Sequence, residues 1–194
     1  ANRFGRISPT TAEHVRQGLG DRVPLILDGG PCQVGLESTI LDLSRDVPVI
    51  LRPGAIGADD IARVIGRRPR LRGEDAQAST ETAPRVSGAL AAHYAPRTPL
   101  ELVNGASLAS RVREGDAVLA RVPQPAGLPA NVLWVEAPVD AAAYGHDLYA
   151  RLRALDSAAP RRILVETPPT SADWFAVIDR LGRAAVGSGA NEET

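Results

Sequence analysis

Three short stretches carry residue types that could hold an anionic substrate, each beside a turn or a helix start. The first is Asn2-Arg3-Phe4-Gly5-Arg6-Ile7-Ser8-Pro9-Thr10, a polar loop running into Thr10-Thr11-Ala12-Glu13. A hydroxyl followed three residues on by Glu is the pattern of a capping box, so a short helix is expected through Leu19. The exposed N–H groups of that helix start, with the Ser8 and Thr10 hydroxyls, suit a phosphate; simple capping is the plainer reading of this loop alone. The second stretch is Asp28-Gly29-Gly30-Pro31 running on to Gly35-Leu36-Glu37-Ser38-Thr39. It places a carboxylate and two hydroxyls at the start of a strand, where α/β sheets form pockets. A tight turn with a solvated Glu37 is the alternative. The third is Leu51-Arg52-Pro53-Gly54, a cation held at a strand end by a rigid turn, against the alternative of an ordinary surface Arg.

Other chemistries are excluded. All 22 basic residues are Arg, so neither a Schiff-base Lys nor a P-loop Lys exists in this chain. Any phosphate or carboxylate held by a cation here is held by Arg, whose planar fork suits bidentate contacts. One Cys and three scattered His cannot build a structural zinc site, and one Cys allows no internal disulfide. Ser38 lies outside any G-x-S-x-G elbow. A Cys32–His14 nucleophile pair weighs less than Cys32 as a small buried apolar residue. Gly187-Ser188-Gly189 follows a helix, so it is no dinucleotide fingerprint. A net charge of −1 predicts no broad grip on nucleic acid or membrane. No apolar run approaches the ~20 residues that cross a bilayer, and a reducing, cytoplasmic setting is expected.

The elements that must position these residues read as two units. Hydrophobic content of 44% is enough for a packed core. Strands are expected over Val23–Asp28, Ser38–Leu43 and Val47–Leu51, then a helix over Ala58–Ile65 with Ile61, Val64 and Ile65 on one face. From Arg67 the periodicity is lost, and 76–82 is small and polar, as in a linker. Beyond it come a strand over Leu100–Val103, a helix over Ser107–Arg113, strands over Ala117–Arg121 and Val132–Val135, a long helix over Ala141–Leu155, a strand over Ile163–Glu166, and a helix over Ser171–Ala185 capped by Thr170 or Ser171. Strands alternating with helices imply a small parallel sheet. The expected boundaries are 1–66, a linker over 67–98, a second α/β unit over 99–187, and a polar tail over 188–194. With no Met at all and Ala1 first, the chain is expected to be a portion of a longer protein.

Together, in order, the three stretches resemble the C-terminal end of the YrdC-like family, the L-threonylcarbamoyladenylate synthases. Ala-Asn-x-x-Gly-x-x-Ser-Pro-Thr from Ala1 resembles the segment at the family's S-x-N motif and just beyond it. Asp28-Gly-Gly-Pro-Cys-x-Val-Gly-Leu-Glu-Ser-Thr-Ile and Leu51-Arg-Pro-Gly-Ala-Ile resemble its later strands. Ser87-Gly88-Ala89-Leu90-Ala91-Ala92-His93-Tyr94-Ala95-Pro96 resembles the H-Y-x-P linker of the long, two-domain form. The resemblance is close over Ala1–Pro99; beyond that it is only to a small Rossmann-like domain. It implies an α/β fold: the end of a YrdC-like twisted sheet, a linker, and a Rossmann-like parallel-sheet domain.

The resemblance further implies that L-threonine, bicarbonate and ATP are condensed to threonylcarbamoyl-AMP and pyrophosphate, with Mg2+ accompanying ATP. The product would reach tRNA through downstream transfer enzymes. Asn2, Ser8, Arg52 and Tyr94 would bind ATP, Ser38 the threonine carboxylate, and Ser87, His93, Tyr94 and Pro96 would belong to a linker lid. No nucleophile or base is implied, because positioning and charge neutralisation can carry attack on phosphorus. A lid would shield a reactive mixed anhydride from water. The second unit is expected to be regulatory, positioning that linker. The family's K-x-R motif and the Ser of S-x-N would lie upstream of Ala1, so the chain alone is expected to be inactive. Two other readings are a YrdC-like domain inside a larger carbamoyl-transfer protein, and a non-catalytic nucleotide- or RNA-binding module. Tight, salt-sensitive retention of tRNA would favour the module.

Overall fold

In the computed structural model, residues 2–44, 46–72, 84, 86–88 and 90–189 are described. The centre of the expected linker (73–83) and the end of the tail (190–194) lie outside them, as do Ala1, Arg45, Arg85 and Ala89. The described residues form a small mixed sheet and a four-stranded parallel sheet, an α/β fold.

The parallel sheet holds most of the core. Its strands are β4 (Leu100–Val103), β5 (Ala117–Ala120), β6 (Leu133–Glu136) and β7 (Ile163–Glu166), in the order β4-β7-β5-β6. The central strands β5 and β7 are buried along their whole length, as a sheet covered on both faces requires. Ala117, Leu119, Ile163 and Val165 point to one face and pack under α4 (Ala141–Ser157) and α5 (Phe175–Gly187). Val118, Ala120 and Leu164 point to the other and pack with Leu108 of α3 (Gly105–Arg111). Asn104 caps α3 by accepting from the Ala106 N–H at 2.9 Å, and Asp140 caps α4 by accepting from the Ala143 N–H at 2.9 Å. The last helix departs from expectation. A 3₁₀ turn over Ala172–Trp174 precedes α5, and Ser171 makes no side-chain cap among the described residues.

The mixed sheet is smaller. β1 (Ile40–Asp42) runs antiparallel to β2 (Val49–Arg52), and β2 runs parallel to β3 (Arg70–Leu71). β3 falls at the start of the expected linker, where periodicity is lost from Arg67; its pairing comes from the neighbour, not from its own residues. The helix α2 (Ala58–Ile65) has the expected bounds, closed by Gly66 in the left-handed conformation at φ 76°. Ala58 and Ile61 cover Ile50, whereas Val64 and, at the helix end, Ile65 are exposed. At 100° per residue Val64 lies on the flank of the Ala58–Ile61–Ile65 stripe, not within it.

Two further expectations fail. Val23–Asp28 forms no strand and pairs with none among the described residues, and Leu27 is 85% exposed. An apolar run becomes a strand only where a neighbour satisfies its backbone. The first helix, α1 (Ala12–Leu19), is capped by Thr11, not Thr10: the Thr11 hydroxyl accepts from the His14 N–H at 3.2 Å.

The two sheets do not stand apart. Ile7, from the N-terminal loop, and Tyr94, from the linker, are buried within the core of the parallel-sheet unit. A parallel bridge joins Arg6 to Ala95, whose N–H donates to the Gly5 carbonyl at 2.8 Å.

Candidate functional site

The turn after β2 sets the first contact. A Cβ on Gly54 would lie 2.4 Å from the Thr39 nitrogen and 2.7 Å from the Glu37 carbonyl oxygen, so only glycine lets this turn close onto Glu37–Thr39. Arg52, at the end of β2, is thereby held beside Ser38. Its Nε donates to the Ser38 carbonyl at 3.0 Å, one terminal nitrogen donates to the Ser38 hydroxyl at 3.3 Å, and the other to the Ser87 carbonyl at 3.1 Å. Arg52 is only 8% exposed, so it is not an ordinary surface Arg.

The linker closes over this pair. Gly88 adopts φ 76°, and a Cβ there would meet the Tyr94 hydroxyl at 2.0 Å and Cδ of Arg52 at 3.3 Å. Tyr94, 1% exposed, holds a positive φ of 60°, a strained conformation for a bulky residue. Its ring lies 4.1 Å from that of His93 and 5.7 Å from that of Tyr149. His93 is half-buried, and its Nδ1 has no hydrogen-bond partner among the described residues. Burial holds its pKa below the usual value, with the Arg183, Arg180 and Arg52 charges adding to the effect against Glu37, so the ring is neutral at pH 7. Pro96 is buried immediately beyond.

Beside Ser38 stands a group whose role sequence alone does not reveal. Glu37 accepts on one carboxylate oxygen from the Ser8 hydroxyl at 2.5 Å. Its other oxygen accepts from the Tyr149 hydroxyl at 2.8 Å and from Nε of Arg180 at 2.8 Å. The Glu37 side chain is 22% exposed and Arg180 is fully buried, so Glu37 is not a solvated turn residue. Arg180 also donates to the Pro53 carbonyl at 2.9 Å and to Asp179 at 2.6 Å, and its guanidinium lies 5.1 Å from the centre of the Tyr94 ring. One signal for it was available. Arg180 falls on the same stripe of α5 as Val177, Leu181 and Ala184, and a charge on an apolar stripe needs a buried partner.

Burial pushes the Glu37 carboxyl upward, but the bonds from Ser8 and Arg180 and the Arg180 charge outweigh it and hold the pKa below its ordinary 4.5. A carboxyl depressed in the folded state stabilises the fold above its unfolded pKa, and that contribution is lost as pH falls through the folded value. Thermal melts are therefore expected to show a large Tm gap between the parent and Glu37→Gln at pH 7 that narrows by pH 3. A gap independent of pH would contradict the ionised state of Glu37.

Asn2 does not join this cluster. Its amide donates to the carbonyls of Arg3 at 3.0 Å and Arg6 at 2.9 Å, closing its own loop. It lines a separate hollow of about 180 Å³ with Arg97 and Arg153. The Ser8 proton is directed at Glu37, and Thr10 is buried against His14. The Asp28 carboxylate accepts from the Gly30 N–H at 2.9 Å and closes its own turn. Cys32 is exposed, against the expectation of a buried residue. The larger cavity, about 750 Å³, opens beyond Pro53 and Gly54, between α2 and the first turns of α4 and α5; none of Asn2, Ser8, Ser38, Arg52 or His93 lines it. No group of three or more His, Cys, Asp or Glu suited to a metal occurs among the described residues, and no helix there is long and apolar enough to cross a membrane.

A β-strand Arg bonded to a Ser, beneath a linker anchored on a parallel-sheet unit, belongs to a two-unit α/β protein. Comparison with known proteins agrees. Residues 56–186 match the family model described as threonylcarbamoyl-AMP synthase, C-terminal domain, and the chain belongs to that family. Residues 1–54 match the model described as telomere recombination. A threonylcarbamoyl-AMP synthase of Bacillus subtilis is 34% identical over 96% of this chain and 56% of its own length. One from Schizosaccharomyces pombe is 34% identical over 95% of this chain and 50% of its own. The crystal structure of Pyrococcus abyssi Sua5 complexed with L-threonine superposes with a TM-score of 0.75 at 26% identity, over 96% of this chain and 56% of that one. The chain thus spans about half the length of the curated relatives it matches.

Proposed function

We propose that this chain is part of an enzyme that condenses L-threonine, bicarbonate and ATP to threonylcarbamoyl-AMP and pyrophosphate, for later transfer to tRNA in the cytoplasm. The observation that carries this reading is the Arg52–Ser38 pair under the Ser87–Pro96 linker. Arg52 uses three of its five N–H groups on Ser38 and Ser87, which fixes the guanidinium and leaves the others for phosphate oxygens. The exposed Ser38 hydroxyl accepts from Arg52, so its own proton can be given to the threonine carboxylate. The reacting oxygen of carboxylated threonine attacks the α-phosphorus, the bond to pyrophosphate breaks, and its electrons leave with pyrophosphate. Arg52 offsets the charge that develops, with no covalent protein intermediate.

Mg2+ would arrive on the ATP phosphates as part of the substrate. Ser8 would have to turn its proton away from Glu37 to donate to ATP. Asn2 would reach the phosphates only if its loop opens. Neutral His93 and the Tyr94 ring fit a cover that excludes water.

The test is pyrophosphate release. The 194-residue chain alone is expected to give none, because the Lys-x-Arg motif that the family resemblance implies is not among its residues. A chain extended upstream to the length of its relatives is expected to release pyrophosphate only with L-threonine, bicarbonate and ATP together. Release by the short chain, or none by the extended one, would count against the reading.

A further inference from the structure

We propose that the parallel-sheet unit positions the threonine site, and that it does so by the grip of Arg180 and Tyr149 on Glu37. This rests on the function proposed above. Arg180 holds two points that bracket the Ser38–Arg52 pair: the carboxylate of Glu37, the residue before Ser38, and the carbonyl of Pro53, the residue after Arg52. One rigid guanidinium therefore sets the spacing between the two strand ends that present the substrate residues. The Tyr149 hydroxyl adds a second hold on Glu37 from a different helix. Burial, then the Glu37 charge, keeps that phenol protonated and so a donor. Tyr94 of the linker rests its ring on the same guanidinium. Strand ends and cover thus share one fixed point, and that point belongs to α5.

Ser8 ties the opposite Glu37 oxygen to the N-terminal loop, and Arg153 of α4 donates to the Ser8 carbonyl at 3.2 Å and also to the Ile7 carbonyl. The parallel-sheet unit therefore reaches Glu37 from both sides, directly and through the loop. Glu37, Tyr149 and Arg180 are positioning residues: each acts through Ser38 or Arg52 and need not touch substrate.

The experiment uses the chain extended to the length of its relatives, with steady-state pyrophosphate release as the readout. Glu37→Gln keeps the size of the side chain but removes its charge, and Arg180→Lys keeps the charge but cannot span Glu37 and Pro53 together. Both are expected to raise KM for L-threonine about tenfold, with kcat within about twofold of the parent, as loss of uniform binding of threonine at Ser38 requires. Tyr149→Phe removes a single hydroxyl, keeps the core, and should raise the same KM about threefold. Should either charge variant fail to fold, Tyr149→Phe carries the test alone. Folded variants with an unchanged KM for threonine, whatever their Tm, would overturn the positioning role and leave the proposed function standing. An unmutated extended protein that releases no pyrophosphate would overturn both.

Discussion

Arg52→Met in the extended protein is expected to lower kcat/KM for pyrophosphate release by about 10³, with more of the loss in kcat than in KM. Met fills much of the space of the Arg stem, so the turn of Pro53 and Gly54 can stay packed on Thr39. What disappears is the fixed cation. Arg52 is 8% exposed and already tied by three hydrogen bonds, so it needs little reorganisation when charge develops on a phosphate. A preorganised donor of that kind acts mainly on the transition state, which places its loss in kcat. Two side effects bear on the reading. The Ser38 hydroxyl loses its donor and the Ser87 carbonyl loses its anchor, so the linker should also become more accessible to protease. A loss of less than tenfold in kcat/KM would mean that Arg52 fastens the linker and does not face the nucleotide.

How much of this was legible beforehand depends on distance along the chain. In the parallel-sheet unit Ile163–Glu166 and Leu100–Val103 keep their expected bounds, the first because a strand buried on both faces leaves an apolar run between turns, whereas α3 and α5 begin at Gly105 and Phe175 and not at Ser107 and Ser171. α2 was equally plain, with Gly57 before it and Gly66 after. Val23–Asp28 carries a pattern just as good and makes no strand, since pattern is a property of the segment and pairing a property of its neighbour. The same limit governs the site. Arg52, at the end of β2, and Ser38, two residues before β1, are only 14 residues apart, and their pairing comes from a local hairpin. Glu37 meets Tyr149 and Arg180 across 112 and 143 residues, and no local pattern spans that separation. Asn2 shows the converse, because a motif matched in sequence can place a side chain on its own loop.

The largest effect on stability should come from Arg180→Met. Removing one partner of a buried ion pair leaves an uncompensated buried charge, at about 3–5 kcal/mol. Here Glu37 would keep Ser8 and Tyr149 but lose its cation, the Pro53 carbonyl would lose its donor, and the Tyr94 ring would lose the guanidinium against it. Asp179 softens the change, since Arg183 also holds it, at 2.8 Å. Urea unfolding of the 194-residue chain can be followed by tryptophan fluorescence, because both Trp residues, Trp134 and Trp174, lie in the parallel-sheet unit. The double variant Glu37→Gln with Arg180→Met tests the coupling: it should be more stable than the two single losses added together, since the carboxylate left without its cation is then absent as well. Additive losses would mean that Arg180 stabilises α5 through Asp179 and packing alone, and that the junction between the two sheets is held by Tyr94 and Ile7 instead.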